Sequence, residues 1–227
     1  MLGSGSIRST AVLMTGAWAI AVRDQRHPAI DLNSLADDVL VRKARAGDQK
    51  SFEALVRRYQ KLVYNVIYQM IRSHESAADL TQDTFLKAYR ALSSFDLDRS
   101  FKPWLLRIAT NSTLNHIRDT KGAHSLEELL EQNPQAEPAA RDDVEAEVEF
   151  RVSQHQLFDA LGQLPMRQRQ IFILRYQQDL PYDEIAEVTN TSVSSVKSLL
   201  FRARENLRSI ISSGVETSSK DEHPARR

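Results

Sequence analysis

Apolar positions at helical spacing dominate the chain. Between Ser51 and Arg72, residues Phe52, Leu55, Val56, Tyr59, Leu62, Val63, Val66, Ile67, Met70 and Ile71 recur at intervals of three and four. That spacing puts a wide apolar stripe along one long helix. A shorter helix is predicted ahead of it, over Asp37 to Ala46, stopped by Gly47. A third is predicted from about Ser76 to Leu92, with Leu80, Phe85, Ala88 and Leu92 turned inward. A fourth begins near Pro103, whose ring suits a first helical turn, and continues through Trp104, Leu105, Ile108, Leu114 and Ile117. Four such stripes can close a shared core, so residues 34–120 are expected to form one helical domain.

Periodicity then fades. Residues 121–152 are acidic, carry Asn133-Pro134 and Glu137-Pro138, and have linker composition, with a short helical turn expected at Leu126 to Leu130. Apolar spacing returns over 153–211, a second compact unit, and residues 212–227 are polar and expected to be disordered. The predicted fold class is therefore all-α: two small helical domains joined by an acidic flexible linker. Residues 1–33 stand apart as an extension. Its apolar run Ala11 to Val22 is too short to span a bilayer. A signal-peptide core, a loosely docked extension, or an over-called start with the true one at Met14 or later are the readings open for it.

Composition narrows this picture. A length of 227 residues suits one large domain or two small ones, and 41% hydrophobic with 26% charged residues is ordinary for a soluble protein. With no cysteine, disulfides and thiolate metal sites are excluded, and a reducing compartment fits. The formal net charge of zero argues against a uniformly basic nucleic-acid binder. The average hides a mosaic: a modest basic excess over Ser34 to Thr120, an acidic run over Leu126 to Phe150, and a basic last helix. Each segment is expected to meet a different partner.

The sharpest local pattern lies in Leu180 to Leu207. A helix over Tyr182 to Val188 needs a small residue where it crosses the next, and Ala186 supplies one. The tight turn that follows needs left-handed backbone, for which Asn190 is the best substitute for glycine. Val193 and Val196 are expected in the interhelical core, with Thr191 or Ser192 as the cap. Val196, Leu200, Ala203 and Leu207 form an inward stripe. Ser194, Ser195, Lys197, Ser198, Arg202 and Arg204 face elsewhere, small hydroxyls first and cations beyond. That is the layout of a helix-turn-helix whose second helix enters a major groove. Before it, Leu164-Pro165 leads into another helix on which Arg169 and Arg175 are either phosphate contacts or surface charge.

A second clue is Phe95 to Arg118. Phe95, Phe101 and Trp104 offer aromatic faces, Asn111 and Asn115 amide hydrogen bonds, and Arg118 a cation. These are the requirements for holding unstacked single-stranded bases, although Trp104 is expected mainly in the core.

Four strings in order, AADLTQDTFLKAY (77–89), FKPWLLRIATN (101–111), ALGQLPMRQRQIFILRY (160–176) and LPYDEIAEVTNTSVSSVKSLLFRARENL (180–207), resemble the extracytoplasmic-function (ECF) sigma factors of the sigma-70 family. The resemblance covers roughly Ser34 to Ile211. It implies a sigma domain two over 34–120, for core-polymerase binding and minus-ten recognition and melting. It implies a sigma domain four over 153–211, for minus-thirty-five recognition. On this resemblance Asp79, Gln82 and Asp83 grip the beta-prime clamp helices of the polymerase core. Phe95, Ser100 and Phe101, with Asn111, form a pocket for a flipped minus-ten base, with Asn115 and Arg118 beyond. Lys197, Ser198, Phe201 and Arg202 read the major groove. The implied partners are the RNA polymerase core, including its beta flap, promoter DNA and an anti-sigma factor. No cofactor, metal or small-molecule substrate is implied. The implied place is the cytoplasm, at the nucleoid or held at the inner membrane by the anti-sigma factor. Leu199 departs from a frequent arginine and Asn115 from a frequent aspartate.

Two other readings fit parts of the sequence. A helix-turn-helix regulator would bind duplex DNA without core polymerase. A helical hydrolase using Glu127, Glu128 and Glu131 lacks support: the six histidines are scattered, and there is no helical His pair and no phosphate-binding glycine loop. The chain is therefore expected not to be an enzyme.

Overall fold

Helices α1 (Asp37–Arg45) and α2 (Gln49–Ile71) are joined by the tight turn the glycine predicted, with Gly47 at φ 95°. In the computed structural model, which describes residues 32–121 and 154–220, every regular element is helical. The start of α2 is fixed by Asp48, whose carboxylate accepts from the Lys50 amide at 3.1 Å and from the Ser51 hydroxyl at 2.7 Å. The Ser51 hydroxyl is the main reason that carboxyl sits below its usual range. Helix α2 ends at Arg72, which takes left-handed backbone (φ 59°, ψ 26°) and donates its amide to the Tyr68 carbonyl at 2.7 Å. Ser73 then caps α3 (His74–Ala91), accepting from the Ser76 amide. Helix α4 (Phe101–Lys121) starts two residues ahead of Pro103, which lies inside its first turn.

These four helices pack as the apolar stripes require. Leu40, Leu55, Val63, Ile67, Phe85, Ala88 and Leu105 form the first core. Leu80, expected inward, is only partly buried at its edge. Burial, together with a hydrogen bond to Asp37, pushes the Tyr59 phenol above its ordinary pKa.

The second group comprises α5 (Gln154–Gln163), α6 (Met166–Tyr176), α7 (Tyr182–Thr189) and α8 (Val193–Lys220). Helix α8 runs past Ile211 to Lys220, beyond the expected start of a disordered tail at 212. Ile210 and Ile211 pack against the cluster of Ala160, Leu161, Leu164, Ala203 and Leu207, which carries the helix through that boundary. Linker residues 122–152 with the expected turn at 126–130, residues 1–31 of the extension and residues 221–227 lie outside the described residues, while Leu32–Ser34 form a 3-10 turn ahead of α1.

The two groups are not merely tethered. Val66, Met70, Leu106 and Ile117 of the first share one apolar cluster with Met166, Ile171, Ile173 and Leu174 of the second. Arg72 pairs with Asp159 at 2.7 Å, and Lys102 donates to the Gln178 carbonyl at 2.6 Å. Arg169, read from the sequence as phosphate contact or surface charge, is neither. It is 9% exposed, and its guanidinium donates to the Met70, Gly162 and Leu164 carbonyls at 2.8, 2.5 and 3.1 Å.

Candidate nucleic-acid interface

The turn between α7 and α8 is built on Asn190, at φ 52° and ψ 52°. The Thr191 amide reaches back to the Ala186 carbonyl at 3.0 Å, which closes the end of α7. Ser192 is the cap of α8: its hydroxyl oxygen accepts from the Ser195 amide at 3.2 Å and lies within hydrogen-bond distance of the Ser194 and Ser195 hydroxyls. The expected stripe of Val196, Leu200, Ala203 and Leu207 is fully inward. Val193 corrects the reading. It is 40% exposed, because the first residue of α8 points away from the seam that Val196 fills.

With that stripe buried, the opposite side of α8 is defined. Ser194, Lys197 and Phe201 are exposed, Phe201 at 42%, and Arg204 continues the same line one turn on. Ser195, Ser198 and Arg202 flank it, half-buried. Leu199 packs against the shared apolar cluster, so a leucine at this position serves packing. The face thus offers small hydroxyls at the N-terminus, an apolar ring suited to a thymine methyl, and cations beyond.

The residues expected to hold a minus-ten base are arranged differently from the sequence picture. Phe95 and Phe101 are buried, with ring centroids 6.0 Å apart, and each packs on Trp104 at 4.8 and 5.5 Å. They are walls rather than open stacking platforms, and Arg45 fixes the loop by donating to the Phe95 carbonyl at 3.1 Å. Trp104 is part-buried, as expected. Ser100 is exposed at the head of α4, whereas Asn111 lies eleven residues along, about 16 Å at the helical rise. A single pocket holding both is therefore not what the geometry presents. Asn111, Asn115 and Arg118 instead form one exposed stripe, with Arg118 donating to Asn115 at 3.3 Å. Arg107, missed in the sequence reading, extends this stripe by a turn and was findable from its spacing of four before Asn111.

On α3, Asp79 and Gln82 are exposed, and Asp83 is half-buried and paired with Lys87 at 2.6 Å. The sequence reading missed Leu86 and Tyr89, which are 56% and 54% exposed on the same side of the helix. Leu86 breaks the inward spacing of Phe85 and Ala88, and that was the available signal. An acidic stripe ending in exposed apolar side chains has the form of a protein-docking surface. Among the described residues, no helix is long and apolar enough to cross a membrane.

Comparison with known proteins agrees with this geometry. Residues 55–122 match the model for sigma-70 region 2 and residues 154–207 that for sigma-70 region 4. The chain is 34% identical over 186 residues to the RNA polymerase sigma-H factor of Pseudomonas aeruginosa, covering 74% of this chain and 90% of that one. It is 32% identical to the ECF RNA polymerase sigma factor SigW of Bacillus subtilis, over 74% of this chain and 92% of the relative. Its fold resembles that of CnrH, solved in complex with the cytosolic domain of CnrY, with a TM-score of 0.59 and 25% identity over 78% of this chain and 97% of that one. With both helical units matched and in the same order, the chain belongs to the extracytoplasmic-function sigma factors of the sigma-70 family.

Proposed function

We propose that this chain acts as an alternative sigma factor whose two halves read different states of the same promoter. The α8 face of Ser194, Lys197, Phe201 and Arg204, set opposite a fully buried stripe, carries the argument. With Ser195, Ser198 and Arg202 beside it, this face reads the minus-thirty-five duplex. The loop around Ser100 and the ridge of Asn111, Asn115 and Arg118 hold the melted minus-ten strand, with Phe95 and Phe101 shaping the floor near Ser100. Capturing a flipped base offsets an unstacking cost of a few kcal/mol, and each wrong base pair upstream costs about 1–3 kcal/mol.

The α3 stripe of Asp79, Gln82 and Asp83, extended by Leu86, docks on the clamp helices of polymerase core, an acidic and apolar face meeting a basic one. The beta flap is the second contact of the core. The chemistry of transcription belongs to that core, so this chain is a binding and melting subunit and not an enzyme. It works in the cytoplasm at the nucleoid, and an anti-sigma factor, which also could hold it at the inner membrane, controls its release.

The test is run-off transcription with purified core, followed by mapping of start sites. Arg202→Ala is expected to weaken promoter-specific transcription while core binding is kept. Equal loss of core binding refutes the role given to Arg202. Tight binding of duplex promoter by the chain alone would mark a conventional helix-turn-helix regulator instead.

A further inference from the structure

Where the two halves meet, a cleft of about 260 Å³ opens between the end of α2, the start of α3, α4 and the α5–α6 corner. Its walls carry Arg72, Arg169, His116 and the hydroxyls of Ser73 and Ser76, and none of its described lining residues is acidic. Arg169 has no carboxylate partner among the described residues, whereas Arg72 has one and lies over the Phe158 ring. Arg72 reaches Asp159, but that carboxylate is half exposed and also bound by His155 at 2.9 Å. Arg169 meets carbonyl oxygens only, and its buried Nε has no hydrogen-bond partner among the described residues. Burial, and after it the charge of Arg72, pulls the Arg169 guanidinium down to about 10. Space for the paired cations is made deliberately tight: a Cβ placed on Gly162 would collide with the Arg72 guanidinium.

We propose that this cleft is a binding site for a small anion of the phosphate class, held by Arg72, Arg169, Ser76 and the N-terminus of α3. Three features of the cleft converge on that chemistry. Guanidinium groups present planar forks that suit oxyanions. Ser73 and Ser76 bring the first turn of the 18-residue helix α3 to the same space, with the Ser76 amide held by the Ser73 hydroxyl and Glu75 in that turn. The volume is well above the roughly 30 Å³ a water takes in the liquid, so the site admits a tetrahedral oxyanion with its remaining hydration. An anion there supplies the counter-charge that Arg169 lacks. Because Met70, Ser76 and His116 come from one half and Gly162, Met166 and Arg169 from the other, the bound anion ties the halves together. Occupancy therefore favours the packed form over one in which the halves separate to span a promoter.

The test is calorimetric and thermal titration of the intact protein with inorganic phosphate and with pyrophosphate, against sodium chloride at matched ionic strength. Saturable binding of either phosphate probe is expected, with a rise in Tm, and tighter pyrophosphate binding identifies a diphosphate-bearing ligand. Ser76→Asp puts a carboxylate into the cleft at the third residue of α3, a position that favours acids. Its phosphate affinity is expected to fall about tenfold or more, while its ligand-free Tm rises toward the phosphate-saturated value. Ser76→Asn, neutral and of similar size, keeps the phosphate response and separates charge from shape. Equal responses to chloride and phosphate overturn the proposal, as does a Ser76→Asp protein that binds phosphate like the unaltered chain. Binding is measured without polymerase or DNA, so its failure leaves the promoter-reading role untouched.

Discussion

Replacing Asn190 tests the helix-turn-helix at its most constrained point. Its backbone is left-handed, a conformation that costs an ordinary L-residue roughly 1–2 kcal/mol and that asparagine and glycine tolerate. Two backbone hydrogen bonds, from Asn190 to Glu187 and from Thr191 to Ala186, require that conformation and do not involve the side chain. Asn190→Ala is therefore expected to lose about 1 kcal/mol, while Asn190→Gly stays within about 0.5 kcal/mol of the parent. In a domain pair of this size a loss of 1 kcal/mol lowers Tm by about 2–4 °C. Guanidinium denaturation is the assay, with the loss appearing as a lower midpoint at unchanged slope. Should glycine cost as much as alanine, the amide side chain, and not the backbone, would be what holds the turn. Should alanine cost nothing, the left-handed turn would not exist in solution.

The other predictions address separate surfaces. Leu200→Ala, at a buried position, should destabilise by about 2–5 kcal/mol, and Val193→Ala should stay within about 0.5 kcal/mol; equal losses in denaturation would refute the inward stripe. Lys197→Ala should weaken promoter binding by the core-bound chain and lower the salt slope of that binding by about 1; an unchanged slope would mean that Lys197 touches no phosphate. Leu86→Asp, at an exposed position, should reduce core association without changing Tm; undiminished association would move the docking surface off this part of α3.

Much of the fold was legible because each half obeys local rules. The three-and-four spacing in α2, Gly47 at a helix stop and the Ala186–Asn190–Val196 pattern all express contacts between near neighbours in sequence. What escaped depends on distant partners. Arg169 resembles surface charge until the distant Met70 carbonyl joins those of nearby Gly162 and Leu164 around it. Phe101 resembles a free aromatic platform because nothing local reveals that Tyr59 closes over it, although Trp104 lies only three residues on. The seam between halves was invisible for the same reason: Val66 and Ile173 each belong to an apolar face, and periodicity does not say which faces meet. Among the site residues, the α8 line and the Asn111–Asn115–Arg118 ridge follow from helical spacing alone. The separation of Ser100 from Asn111 follows only once Ser100 is placed just ahead of the helix that carries Asn111.

The most direct measurement is retention of labelled promoter DNA by purified core polymerase, by this chain, and by the two together. The account predicts specific retention and strand opening only with both present, the chain alone binding duplex weakly. Beside Ser100, Arg99 is paired with Glu187 and Lys102 donates to the Gln178 carbonyl, so these two cations are engaged within the chain. Strong, sequence-specific retention by the chain alone, unchanged on adding core, would contradict it.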